Sequence, residues 1–167
     1  MYPDTWPEFY TATITEWKPL LKHEKYKKVI IESLQYLVSD KRILLYSFVI
    51  MDTHMHIIWQ ACHGHQLDKI KLSFMKFTAQ RIKFDLIKNH PDLLESYKVN
   101  AADRDYRFWK RRALGIELFS HNVYQQKLNY IHDNPVKAGM CTFPDEYRYS
   151  SAKFYLTGTD EFNMLTY

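Results

Sequence analysis

Two apolar runs close together in the chain, ILLYSFVI at 43–50 and Met55–Ala61, leave the least freedom to the fold. Asp52 and Thr53 lie between them, so the arrangement predicts two adjacent strands joined by a tight turn. The segments on either side read as helices. Glu24–Val38 carries Val29, Ile30, Leu34 and Leu37 at helical spacing with lysines between them, and Leu67–Lys88 carries Ile70, Phe74, Phe77, Ile82 and Leu86 in the same way. Ahead of the first helix, FYTATITEW at 9–17 alternates and is rich in β-branched and aromatic residues, which predicts an opening strand ended by Pro19.

Residues 90–105 are polar and without period, so a loop is expected there, whereas the aromatic and basic stretch Tyr106–Phe119 predicts a fourth strand or a short hairpin. A last helix is expected from Asn122, as N-cap with Gln125 as its capping-box partner, to Asn134. Pro135 should stop it, because the residue before a proline disfavours the helical region. Val136–Tyr167 reads as a tail folding back over the domain, held by Tyr147, Tyr149, Phe154 and Tyr155. The order strand, helix, strand, strand, helix, strand, helix predicts a ferredoxin-like α+β sandwich with an antiparallel sheet. At 167 residues the chain suits one domain, 1–167, and is short for two.

Composition narrows the function only a little. Four glycines and six prolines exclude fibrous or low-complexity chains, and a net charge of +4 favours a polyanionic partner. Thirteen tyrosines and ten phenylalanines exceed what a core of this size needs, leaving ring surface that can stack on bases. Cys62 and Cys141 have no metal-type spacing and read as ordinary buried thiols of a reducing compartment. Met1–Trp6 lacks the basic and apolar regions of a secretory leader, and no apolar run approaches the length of a membrane span. A cytoplasmic protein without a membrane partner is the expectation.

Chemistry concentrates in two segments. In Thr53-His54-Met55-His56-Ile57-Ile58-Trp59, alternate side chains of a strand share a face, so His54 and His56 project together while Met55 and Ile57 point into a core. Read alone, the pair fits either a metal site or two partly exposed strand histidines. His63-Gly64-His65 repeats the spacing beside a glycine, where no pleat would orient it. On the predicted last helix, Lys127, Tyr130 and Asn134 fall at i, i+3 and i+7 on one stripe, and Tyr124, Leu128 and Ile131 on another. The second stripe can dock the helix and leave the first free. A helical tyrosine is also an ordinary packing residue.

Taken together, His54-Met55-His56-Ile57-Ile58-Trp59 and Tyr130-Ile131-His132-Asp133-Asn134-Pro135-Val136-Lys137-Ala138-Gly139 resemble the paired signatures of the REP-associated tyrosine transposases, members of the HUH superfamily. The tail Asp145-Glu146-Tyr147-Arg148-Tyr149-Ser150-Ser151-Ala152 is similar to that family's closing segment, and 9–17 to its opening strand. The resemblance implies that His54 and His56 bind Mg²⁺ or Mn²⁺, that Asn134 is a third ligand where related insertion-sequence enzymes carry glutamine, and that Tyr130 is the nucleophile. Two imidazoles and an amide oxygen would leave about three positions of an octahedral ion for water and a phosphate oxygen. A phenol is almost wholly protonated near neutral pH, so Tyr130 needs help, and Lys127 one turn earlier is the candidate cation. The implied partner is single-stranded DNA that forms a hairpin, and the implied protein is a monomer or a homodimer.

Basic residues suggest a track for that DNA. Lys69, Lys76, Arg81 and Lys83 lie on the second helix, and Arg107, Trp109, Lys110, Arg111 and Arg112 combine charge with an aromatic ring. Two other readings compete: a non-catalytic DNA-binding module on the same fold, and a small zinc hydrolase built on His54 and His56 with His63 or His65.

Overall fold

The computed structural model describes residues 5–167; residues 1–4, where part of the leader reading falls, lie outside it. The first strand, β1 (Glu8–Thr13), leads through two short 3₁₀ turns to helix α1 (Glu24–Ser39). Strands β2 (Ile43–Ile50) and β3 (His54–Ala61) follow as the expected hairpin. Helix α2 (Leu67–Asn89), the short helix α3 (Pro91–Glu95), strand β4 (Leu114–Glu117), helix α4 (His121–Lys137) and helix α5 (Ala152–Thr157) complete the order. The strands run β2-β3-β1-β4, and every neighbouring pair is antiparallel. This is the ferredoxin-like α+β arrangement that the order of periodicities predicts.

The pleat divides the sheet's side chains between two cores. Tyr10 and Ala12 of β1 and Met55, Ile57 and Trp59 of β3 face α1 and α2, packing with Ile30, Leu34, Ile70, Phe74 and Ile82. Phe9 of β1, Val49 of β2 and Ile58 of β3 face the other way, against Leu128 and Ile131 of α4. The histidines of β3 share the parity of Ile58. They therefore belong to the face that α4 covers.

Several expectations change. The opening strand ends at Thr13, four residues early, because Glu16 and Trp17 both take left-handed backbone angles (φ 54° each) inside a 3₁₀ turn. For non-glycine residues each such angle costs about 1–3 kcal/mol, so the surroundings must enforce it. Residues 91–95, expected as loop, form α3, with Pro91 at the first helical position where its missing N–H matters least. In α2, Phe77 is exposed and Thr78 takes the buried place, donating to the Phe74 carbonyl at 2.9 Å. Cys62 and Cys141 are free but only half-buried.

The Tyr106–Phe119 segment yields just four residues of strand. Phe108 and Trp109 are buried instead, and the Trp109 Nε1–H donates to the Thr78 hydroxyl at 3.0 Å. Trp109 is thus a core residue, and its expected role as a base-stacking ring does not hold.

Helix α4 starts one residue before the expected Asn122 cap. Ser120 is the N-cap, its hydroxyl accepting from the Val123 N–H. Nor does Pro135 stop the helix, which runs on to Lys137 with Pro135 inside its last turn. Proline removes one donor there and breaks only the bond to the Ile131 carbonyl. Beyond it, Ala138 N–H still reaches the Asn134 carbonyl at 3.1 Å and Met140 N–H the Pro135 carbonyl at 2.9 Å.

The C-terminal segment covers the free edge of β2. Ile50 N–H donates to the Tyr149 carbonyl at 2.9 Å, Ser151 N–H to the Phe48 carbonyl at 3.0 Å, and the Tyr147 and Tyr155 hydroxyls to the Ile50 and Tyr46 carbonyls at 2.7 and 2.6 Å. An edge strand left open would invite pairing with another chain.

The burial of Trp109 gives a direct test. Trp109→Phe keeps an aromatic side chain but removes part of the buried indole and its hydrogen bond, so it should lower stability by at least about 1–2 kcal/mol, read as a reduced urea midpoint at unchanged slope. An unchanged midpoint together with weakened DNA binding would contradict the assignment to the core.

Candidate metal and nucleophile site

Strand β3 brings His54 and His56 onto the α4 side with their rings 4.7 Å apart, centroid to centroid. Each imidazole leans on a threonine through Nδ1. For His56 the partner is the Thr11 hydroxyl at 2.7 Å, from the residue opposite it on β1; for His54 it is the Thr53 hydroxyl at 2.9 Å. A hydroxyl can donate or accept, so it fits either neutral tautomer, and the tautomer protonated on Nδ1 leaves Nε2 with a free lone pair.

The two Nε2 atoms differ in what they meet. His54 Nε2 is 3.2 Å from Asn134 Oδ1 on α4. His56 Nε2 is fully buried and has no hydrogen-bond partner. A buried polar atom left unpaired costs about 1–3 kcal/mol, so its presence here asks for a reason.

A divalent ion supplies one. Neighbouring donors on an octahedral ion with bonds of about 2.1 Å stand about 3 Å apart, which matches the His54–Asn134 separation. Burial pushes the His54 imidazole below its ordinary range and, with His54 and Lys127 adding to it, pushes His56 down to about 3. Both rings are therefore neutral near pH 7, the form that ligates. The donor set fits Mg²⁺ or Mn²⁺, which His54, His56 and Asn134 would hold. It contains no carboxylate, and among the described residues no three His, Cys, Asp or Glu side chains gather as a metal site. Such an uncharged set holds an ion weakly until an anionic oxygen joins it.

Tyr130 stands over this pair. Its ring lies edge-on to His56 at 5.2 Å and to Phe9 at 6.0 Å, and the residue is 42% exposed. Lys127 Nζ sits 4.9 Å from the Phe9 ring centre and 5.9 Å from that of Tyr130. A second ammonium, Lys137, lies 6.0 Å from the Tyr130 ring. The expected stripe Lys127–Tyr130–Asn134 thus exists, and it extends one turn to Lys137. Expecting the helix to stop at Pro135 hid that residue. Tyr124 is on the other stripe, edge-on to Tyr46, and burial drives its hydroxyl far above the ordinary tyrosine range. It is poorly placed to attack anything.

What fixes α4 in this position is partly His132. Its Nε2 lies 2.8 Å from the Ser151 hydroxyl, which in turn accepts from the Phe48 N–H of β2 at 3.0 Å. Burial pushes His132 down to about 4.

The basic residues divide between the two sides of the sheet. Lys69, Lys76, Arg81 and Lys83 belong to α2, on the side away from the histidines; Arg81 also lies 3.6 Å from Glu32 and Lys83 rests over Tyr106. The structure does not bring them to Tyr130. Arg107 is half-buried, its Nε unpaired. Lys110, Arg111 and Arg112 are exposed, and the Lys110 N–H donates to the carbonyl of Thr13, the residue opposite His54. Of the residues expected to contact DNA, Lys110 is thus tied to the strand end opposite His54. His65 is exposed, and neither it nor His63 joins the His54–His56 pair.

Comparison with known proteins adds the fold's relatives. No family profile and no curated protein sequence matches the chain. Among solved structures, a REP-associated tyrosine transposase bound to a REP hairpin superposes with a TM-score of 0.68 at 16% identity, covering 100% of this chain and 89% of that one. A candidate transposase from Deinococcus radiodurans superposes with a TM-score of 0.53 at 13% identity, over 79% of this chain and 92% of that one. The chain has a REP-tyrosine-transposase-like fold. No helix of the described residues is long and apolar enough to cross a membrane.

Two outcomes follow. Mn²⁺ at about a hundred times its dissociation constant should stabilise the protein by about 2.7 kcal/mol; thermal denaturation should show this shift lost in His56→Ala, reduced in Asn134→Ala and kept in His63→Ala. A shift that survives His56→Ala would place the ion elsewhere. With chelator present, the depressed histidines act in the opposite sense. Below an unfolded-state pKa of about 6.5 the unfolded chain takes up protons that buried His132 and His56 refuse, so stability falls from about pH 6.5 toward pH 4. Urea midpoints should follow that slope, and His132→Gln should flatten it.

Proposed function

We propose that this protein is a metal-dependent single-tyrosine transposase that cuts and rejoins single-stranded DNA at hairpin-forming sequences. The observation that carries the reading is a convergence on one sheet face. Two neutral imidazoles, one with an orphaned Nε2, an amide oxygen and an exposed tyrosine come from a single chain. The fold likeness to a transposase that binds a REP hairpin supports the same reading.

In the proposed reaction the Tyr130 hydroxyl attacks a backbone phosphorus in line with the departing 3′ oxygen. The new bond joins the tyrosine oxygen to phosphorus as the bond to the 3′ oxygen breaks. The phenolic proton leaves, the 3′ oxygen gains one, and the products are a 5′-phosphotyrosine and a free 3′ hydroxyl. One phosphodiester replaces another, so a second strand's 3′ hydroxyl can reverse the step without an energy source. Lys127 and Lys137, flanking the Tyr130 ring, bring positive charge to the place where the attacked phosphate would sit. Thr11 and Thr53 hold the imidazoles in orientation. A bound Mg²⁺ or Mn²⁺ would act as a Lewis acid on the phosphate oxygens. Lys110, Arg111 and Arg112 neutralise neighbouring phosphates.

The test is a covalent adduct. Incubation with a stem-loop oligonucleotide and Mn²⁺ should give a protein–DNA species stable to denaturation, absent with chelator and absent in Tyr130→Phe. Tyr124→Phe should keep it. Removing one of the two flanking cations should slow adduct formation by about ten- to a hundredfold. An adduct that persists in Tyr130→Phe would overturn the assignment of the nucleophile.

A further inference from the structure

Among the described residues, Trp17 is a large aromatic residue beside the histidines that neither the core nor the reaction accounts for. It is 59% exposed, although tryptophan is a residue that folding normally covers. Its ring meets His54 at a centroid distance of 5.9 Å and an angle of 69°. It is also held there at a conformational cost, since Glu16 and Trp17 are consecutive left-handed residues without a glycine between them.

The turn that enforces this conformation is tied to the site from both sides. Ile14 N–H donates to the carbonyl of Thr53, the residue that supports His54, at 2.8 Å, and Thr15 N–H donates to the Phe108 carbonyl at 2.7 Å. Within the turn, Trp17 N–H reaches the Ile14 carbonyl at 3.0 Å and Lys18 N–H the Thr15 carbonyl at 3.2 Å. Had β1 simply continued, Thr13, Thr15 and Trp17 would have lined the histidine face of the sheet. Instead the chain leaves the sheet at Thr13 and sets the indole beside His54 with more than half its surface in solvent. Backbone strain spent on presenting an exposed ring marks a place where something lands on it.

The neighbouring charges say what kind of molecule lands there. The Lys110 backbone N–H is bonded to the carbonyl of Thr13, so the exposed basic run Lys110-Arg111-Arg112 begins beside the strand end from which the Trp17 turn departs. Glu16 is engaged by Lys18 at 3.3 Å. A planar apolar face near an exposed basic run and a candidate metal site suits a nucleotide, its phosphate on the charges and its base on the ring.

We infer that Trp17 is a stacking platform for an unpaired base of the substrate strand, next to the phosphate that the His54–His56 site receives. The inference rests on the reading of that site as one for single-stranded DNA. Because every base has a π-face, the platform needs no particular base, and it discriminates against duplex, whose bases are already stacked. Trp17 thereby adds a preference for single strands that the phosphate contacts cannot supply.

The experiment compares short oligo(dT) with the same strand made abasic, by fluorescence anisotropy at fixed salt. Trp17→Ala should weaken binding of the base-bearing strand about tenfold and leave the abasic strand within about twofold; Trp17→Phe should restore most of the loss. Tyr36→Ala removes an equally exposed ring on α1, across the sheet, and should change neither strand. Equal losses on both strands, or no loss on either, would overturn the stacking role, as would a Tyr36→Ala loss of the same size. The adduct assay separates this from the parent reading. Base-dependent binding through Trp17 with no Tyr130 adduct removes strand transfer and keeps the platform; a Tyr130 adduct with no base dependence at Trp17 removes the platform alone.

Discussion

Everything at the site depends on the two-residue pleat of β3. Because Met55, Ile57 and Trp59 are committed to the core beneath α1 and α2, His54 and His56 have no choice of face. A register slip of one residue would bury the imidazoles in the α1–α2 core and set three large apolar side chains beneath α4 in their place. The hydrophobic core thereby enforces the geometry of a polar site that contributes nothing to it. Antiparallel pairing with β1 then supplies the Thr11 hydroxyl opposite His56, and that contact orients the ring.

The second half of the site comes from α4, and its position is likewise set by apolar residues. Leu128 and Ile131 dock on Phe9, Val49 and Ile58, which turns the stripe of Lys127, Tyr130, Asn134 and Lys137 toward the histidines. Phe9 serves both purposes. Its ring stacks on His56, meets Tyr130 edge-on and lies under the Lys127 ammonium. The C-terminal segment completes the arrangement by closing the β2 edge and bonding to His132. One copy of the chain thus contains every group the proposed reaction asks of the protein.

Periodicity made much of this legible. The hairpin of β2 and β3, the helices α1, α2 and α4 and the shared face of His54 and His56 follow from local pattern, because pleat and helical spacing are local rules. The features that escaped depend on tertiary contacts. Thr11 becomes the partner of His56 only through strand register. Trp109 looks like part of a basic-aromatic DNA stripe until the fold buries it against Thr78. Lys137 was hidden behind Pro135, whose effect is small in a last turn. Trp17 reads as the end of a strand, and only its left-handed backbone reveals a turn. The α2 cations show the same limit from the other direction: charge is visible in sequence, but the side of the sheet it occupies is not.

The proposed reaction requires His54, His56 and Asn134 to form one metal centre beside Tyr130. Anomalous diffraction from crystals grown with Mn²⁺ tests it most directly. A single manganese peak within bonding distance of His54 Nε2, His56 Nε2 and Asn134 Oδ1 is the predicted result. A peak at His63 and His65, or an ion bound elsewhere while His56 Nε2 stays unligated, would contradict it.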